Sequence, residues 1–395
     1  MKVKVGIPND WKTLSVFELA DKQKSQFDDG DWIEAEHISN KGVRLIQTGN
    51  IGVGCFIEKD AKKYVYESSF DLLKCKELEV GDLLICRLAE PAGRACILPD
   101  IDENKVITAV DVTIFRPKKE KFDRGYLVQY FSTPQWFEVV LEQVGGTTHK
   151  RISRSALGGI KIPIPSSVAE QRAIATALGD VDALLSGLDK LIAKKRDIKQ
   201  AAMQQLLTGK TRLPGFDGEW VVKRLGDVAY IKTGSRNNED KVEDGEYPFF
   251  VRSDDIERIN SYSHDCEAIL VPGEGRIGEI FHYINGKFNV HQRVYAITRF
   301  APDVSGHFVY LYMKAHFGTW AMKNTVKATV DSLRLPTFQN FLMRMPPTLE
   351  EQTASAEVLK DMDAELAALE ARRDKTRALK TAMMQELLTG KTRLV

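Results

Sequence analysis

Residues Val168–Leu213 read VAEQRAIATALGDVDALLSGLDKLIAKKRDIKQAAMQQLLTGKTRL, and Leu349–Leu394 read LEEQTASAEVLKDMDAELAALEARRDKTRALKTAMMQELLTGKTRL. The two stretches align without a gap, share roughly half their positions and both end in LLTGKTRL. A repeat this long and this widely separated is not a solenoid unit. It divides the chain into two halves, each a domain followed by a long helix.

Spacing makes the helix. Ile174, Leu178, Val181, Leu185, Leu188 and Ile192 alternate steps of four and three, which is a heptad seam. Leu359, Met362, Leu366 and Leu369 hold the same register in the second copy. Nearer their ends both copies are expected to pass to a spacing of four, at Ile198, Ala202, Leu206 and at Leu379, Met383, Leu387. Ser167 with Glu170, and Thr348 with Glu351, have the spacing of a capping box. Pro165 and Pro347 end the preceding strands, and Gly209 and Gly390 stand where a helix-stopping glycine belongs. About forty residues at ~1.5 Å each make a rod of roughly 60 Å. The first rod carries the chain from the first domain to the second. The second rod, if the halves are equivalent, runs back, so the pair is expected to be antiparallel.

Outside the repeat, two domains of one plan are expected. Trp11–Ala20 and Trp220–Ala229 open them at the same tryptophan-to-alanine spacing. VRLIQTGNIG, GDLLICRL, GRACIL and VITAVDVTIF read as strands of the first domain, and residues 125–144 as one helix. YPFFVRSDDI, the strand–loop–strand AILVPGEGRIGEIFHYI, the strand FNVHQRVYAIT and the helix SGHFVYLYMKAHFGTWAMKNT repeat that order. IKIPIP and FLMRMPP close the two domains. The fold class is therefore α+β: two similar mixed α/β domains, 1–165 and 214–347, separated by long helical segments, 166–213 and 348–395, that form a coiled coil.

Composition narrows the function. In 395 residues, 56 Lys and Arg face 55 Asp and Glu, a net charge of +1. Any nucleic-acid surface must then be local or completed by a partner. Cys55, Cys75, Cys86, Cys96 and Cys266 are odd in number and lack metal-ligand spacing, which points to reduced core or strand residues. No run approaches ~20 apolar residues, so no membrane span is expected. No apolar segment of secretory type follows Met1–Val5, so a cytoplasmic location is expected.

Several motifs fail on context. Gly273–Gly278 spells G-x-G-x-x-G, but the strand-like EIFHYI follows where a dinucleotide site needs a helix. Gly209-Lys-Thr and Gly390-Lys-Thr follow a helix, not a strand, and read as helix stops. Pro99-Asp100 with Glu103-Asn-Lys105 has nuclease letters, but its acids are too close in sequence to flank one metal, and it reads as an exposed turn. His149 and His291 lack the companions of a nucleophilic triad, and no Asn-Pro-Pro-aromatic or Asp-Pro-Pro-aromatic motif of an amino-methyltransferase is present. These residues leave open a coiled-coil scaffold that binds no DNA, or an enzyme with an unrecognised site.

Taken together, the two LLTGKTRL segments, the helix starts Pro165…Glu170-Gln171 and Pro347…Glu351-Gln352, and the paired Trp-to-Ala openings resemble the specificity (S) subunits of Type I restriction–modification systems. The resemblance spans the chain. It implies two target-recognition domains, each reading one half of a split, asymmetric site on double-stranded DNA. The helices would set the unread gap and dock two methyltransferase (M) subunits, with restriction (R) subunits joining. The chain itself would be no enzyme, hold no metal and bind no cofactor; S-adenosylmethionine, ATP and Mg are expected on the partner subunits.

On that reading DNA contacts are expected in loops at equivalent places in the two domains. These are Gln47, Thr48, Asn50, Arg87, Arg94, Thr148 and Lys150 in the first, and Arg252, Ser253, Arg276, Gln292, Arg293, Lys327 and Thr329 in the second. Arg and Gln suit guanine and adenine edges; Ser, Thr and Lys suit phosphates. A second apolar stripe on the first helix, Ala177, Val181, Leu184, Leu188 and Leu191, is expected to meet the M subunit or the helix's own domain.

Overall fold

A computed structural model describes residues 7–146, 150–324 and 332–394. It resolves two compact units: residues 1–188 with 372–395, and residues 189–371. The contacts thus divide the chain inside the two long helices, Val168–Leu206 and Leu349–Leu387. Each unit holds one domain together with the start of the helix that leaves it and the end of the other helix.

In the first unit Trp11–Ser15 pairs antiparallel with Lys161–Pro165, so the opening strand meets the closing one. A four-stranded antiparallel sheet follows the order Phe27–Asp29, Val112–Phe115, Leu83–Cys86, Ala95–Ile97. A second sheet has the order Ile38–Ser39, Lys63–Val65, Val43–Ile46, Val106–Thr108, with its last pair parallel. The central strands LLIC and VRLI are buried throughout, as near-continuous apolar runs require. The expected helix over 125–144 is two helices, Arg124–Tyr130 and Pro134–Glu142. Thr133 caps the second by accepting from the Trp136 amide, and Pro134 sits at its first turn. The expected strand VITAVDVTIF is likewise two strands, Val106–Thr108 and Val112–Phe115.

The second unit repeats the plan. Val221–Arg224 pairs with Leu342–Met345. One six-stranded sheet follows, in the order Tyr230–Thr233, Val294–Thr298, His264–Pro272, His282–Val290, Tyr247–Phe250, Glu257–Ile259. The expected strand FNVHQRVYAIT is cut by a turn at His291–Arg293: its first residues end His282–Val290 and its last form Val294–Thr298. Strand His282–Val290 does alone what Ala95–Ile97 and Val106–Thr108 do separately in the first unit, where the exposed turn at Pro99–Asp102 interrupts it. The two sheets of the first unit are therefore one sheet in the second.

The helix ends are held in the same way in both units. Ile174, Leu178, Leu387 and Leu388 join the first core with Phe115, Tyr126, Phe131 and Trp136. Leu206, Leu207, Ala356 and Leu359 join the second with Ile269, Ile297, Phe308 and Phe317. Ser167 and Thr348 cap their helices, accepting from the Glu170 and Glu351 amides at 3.3 Å. The reciprocal half of the expected capping box is absent, because these buried carboxylates are taken by arginines of the repeat's last residues. Arg393 grips Glu170 and also Asp10 (2.7 and 2.9 Å), and Arg212 grips Glu351 and the Asp217 and Gly218 carbonyls. Gly209 and Gly390 have φ of +69° and +73°, as helix stops should. A Cβ at either would strike its unit's opening segment: Trp220 at 2.9 Å, or Pro8 at 2.5 Å.

The helices run antiparallel in each unit. Lys195 reaches Glu365, Arg196 reaches Glu370 and Lys199 reaches Asp363 in the second unit. Lys380 reaches Asp182 in the first. The expected change to a spacing of four is not what forms. Ile198 and Leu379, equivalent in the repeat, are exposed at 44% and 55%. The heptad instead continues through Lys195, Lys199 and Ala202, all half-buried, to Leu206. Lysine stems fill the seam while their heads pair at its edge.

Candidate nucleic-acid interface

The second unit gathers its described candidates on one surface. Arg252 and Ser253 follow strand Tyr247–Phe250, Arg276 lies in the loop after His264–Pro272, and Gln292 and Arg293 form the turn after His282–Val290. Arg252, Arg276, Gln292 and Arg293 are exposed. Glu274 links two of them: its carboxylate lies 3.4 Å from Arg252 Nη1 and 3.1 Å from Arg293 Nη1. Arg276 pairs with Asp254 and, at 2.8 Å, with Glu279. Gln292 donates to Asn237. The turn is set by His291, whose Nδ1 accepts from the Arg293 amide at 3.0 Å. Burial first, and then Arg252 and Arg293, hold the His291 imidazole below its ordinary pKa, so the ring stays a neutral acceptor. Beside these residues lies a cleft of about 360 Å³ lined by Asn238, Lys241, Arg252, Ser253 and Glu274 among others.

The first unit treats its candidates differently. Arg87 is buried, bonded to the Ile152 and Val110 carbonyls and close to Asp29 and Asp111. Arg94 donates to four carbonyls, those of Ile51, Thr48, Leu88 and Pro91. Asn50 is buried, accepting from the Gln47 amide and donating to the Ile57 carbonyl. These three side chains fasten the loop through backbone carbonyls and amides. A buried donor is worth more to the fold paired than exposed. Gln47 and Thr48 remain half-exposed on the loop so held, and Lys150 is exposed. Thr148, Lys327 and Thr329 lie outside the described residues.

Sequence reasoning missed the acids among the arginines, Glu274 and Asp254. The signal was there in Pro-Gly-Glu-Gly-Arg and Arg-Ser-Asp-Asp, where loop arginines stand close to acids. The G-x-G-x-x-G letters are, as expected, a loop between two strands. On the helices, Leu184 and Leu191 are exposed at 42% and 39%, Ala177 and Val181 are half-buried, and Leu188 is in the seam at 4%. All five cysteines are free; Cys86 and Cys96 are buried in or beside strands, but Cys55 is exposed on a loop and not in a core. Among the described residues no helix is long and apolar enough to cross a membrane.

Two like domains, each closed by one arm of a helix repeat and each carrying distinct polar loops, call for comparison with known proteins. The family model for the Type I restriction modification DNA specificity domain matches twice, over residues 8–198 and 217–376. The chain belongs to that family. It is a Type I specificity chain with two DNA specificity domains, and both matches run into the long helices. A putative type I restriction enzyme MjaX specificity subunit of Methanocaldococcus jannaschii is 24% identical, over all of this chain and 96% of its own length. The type I restriction enzyme EcoDI specificity subunit of Escherichia coli is 27% identical over 43% of this chain and 37% of its own. In fold, the specificity chain resembles the Type I S subunit of M. genitalium, with a TM-score of 0.65, 16% identity and 98% of each chain covered. A chain from a study of Type I complex assembly has a TM-score of 0.55 and 15% identity, over 98% of this chain and all of the other.

Proposed function

We propose that each unit reads its own half of a bipartite, asymmetric DNA site, that the two long helices set the unread gap and that they dock two M subunits. The chain then serves as the non-catalytic subunit of a cytoplasmic complex. S-adenosylmethionine, ATP and Mg belong to its M and R partners. The observation that carries this reading is a contrast. The helix ends are anchored by matching residues in the two units, Arg393 with Glu170 and Arg212 with Glu351. The exposed loops beside the sheets match poorly, with Gln47 and Thr48 in one and Arg252, Arg276 and Arg293 in the other. One scaffold with two loop chemistries suits two ligand sequences.

The test is to map methylated sites made by the full chain with its cognate methyltransferase, for the wild type and for Arg293→Ala. A bipartite motif is expected, and the variant should relax one half only, by about 1–3 kcal/mol if the contact is a bidentate one. Relaxation of both halves together, or methyl transfer by the pure chain supplied with S-adenosylmethionine, contradicts the assignment.

A further inference from the structure

Glu274 stands on backbone that is tied to two neighbouring segments of the second unit. Its neighbour Gly273 donates to the Arg293 carbonyl at 2.8 Å and accepts from the Leu333 amide at 2.7 Å. Glu274 itself bridges to Ser332. A Cβ at Gly273 would meet the Tyr295 ring at 2.9 Å, so the backbone is closely packed there. The Glu274 side chain is 25% exposed, whereas those of Arg252 and Arg293 are 45% and 58% exposed. The carboxylate, less exposed than either arginine, lines the cleft with one oxygen facing Arg252 and the other facing Arg293.

That arrangement is poor for a phosphate, which would approach a fixed carboxylate of like charge. It matches the major-groove edge of one kind of base pair. Guanine presents two acceptors there, O6 and N7, which suit an arginine fork; its paired cytosine presents one donor, the N4 amino group, which suits a carboxylate. Reading that edge takes both groups together. The arginine exchanges its carboxylate partner for guanine, the carboxylate exchanges its arginine for the amino group, and neither charge is left without a partner.

We propose that Glu274, with Arg252 or Arg293, reads a G·C pair in the half-site of the second domain: the carboxylate accepts from cytosine N4 and the arginine donates to guanine O6 and N7. This rests on the reading of that unit as a DNA-recognition domain. It concerns the second half-site alone, because the first unit's Arg87 and Arg94 are bound to backbone carbonyls.

The experiment uses the full chain in complex with its methyltransferase. The wild-type methylation map should contain a required G·C pair in the half-site that Arg293→Ala relaxes. Glu274→Gln should accept A·T at that position, since an amide can serve adenine N6 and N7, and keep the other positions. On a duplex whose cytosine there carries an N4-methyl group, no amino N–H faces the groove, and wild-type methylation should slow roughly tenfold. Absence of a G·C pair from that half-site, equal loss at every position in Glu274→Gln, or full activity on the N4-methyl duplex overturns the inference. The last arm needs only the wild-type chain, so it decides the matter even if the variant fails to fold. A wild-type map with no bipartite motif instead overturns the DNA reading on which this inference rests.

Discussion

Gln352 and Gln171 show how much one buried amide can hold. Gln352 accepts from the Ser305 amide at 2.9 Å and donates to the Asp303 and Pro346 carbonyls at 3.2 and 3.0 Å. Gln171 does the same for Asp123, Lys121 and Pro165. Both are 1% exposed, so truncation to alanine strands backbone groups away from water. Each Gln→Ala change is expected to cost about 1–3 kcal/mol, read from the urea midpoint of the purified chain. Gly390→Ala should cost at least ~1–2 kcal/mol from its left-handed backbone, and more from the Pro8 contact. An unchanged midpoint in either would show that these contacts do not fasten the helix ends. The Glu-Gln pair was visible in the sequence as a helix start, but its roles were not. Glu170 is served by Arg393, at the far end of the chain, and no local spacing reports such a partner.

At the scale of elements, the repeat revealed both helices and their orientation, while the strands were legible only as apolar runs. Whether a run is one strand or two depends on turns. Thr133-Pro134 divides a helix, and His291–Arg293 divides a strand, each without interrupting the apolar count. Periodicity also misplaced Ile198 and Leu379, because the seam runs through the stems of Lys195 and Lys199 on the first helix and through Thr376 and Lys380 on the second. Ile198→Lys and Leu379→Lys should therefore change stability by less than ~0.5 kcal/mol, as exposed positions do. A core-sized loss would put them back in the seam. Leu184 is exposed where the second helix has Glu365, so Leu184→Glu should leave the fold intact. It is expected to weaken co-purification with the methyltransferase. Unchanged co-purification would remove this face from the docking surface.

Across the whole molecule the two units should differ in their response to acid. His264, His291, His307 and His316 all belong to the second, and burial is the first cause holding each below the ordinary value of 6.5. With folded pKa values lowered, the native state binds fewer protons than the unfolded state. Their contribution is present above about pH 6.5 and is lost as pH falls below it. At about pH 5.5 the second unit should open before the first, by hydrogen exchange corrected for its intrinsic pH dependence. Opening of the first unit before the second would contradict this.

On the proposed function, the helix pair spaces two reading domains. Helix residues up to Leu188 belong with those from Arg372 onward in one unit, and those from Asp189 onward with those up to Ala371 in the other. Seven residues inserted after Lys190 and after Ala371, equivalent positions of the repeat, keep the heptad and lie opposite one another. Each helix then grows by about 10 Å, the rise of roughly three base pairs at ~3.4 Å per pair. The decisive measurement is a methylation map of DNA modified by this insertion variant with its methyltransferase, beside that of the wild type. The expected result is the same bases in both half-sites and a gap longer by about three pairs; altered bases at an unchanged gap would contradict it.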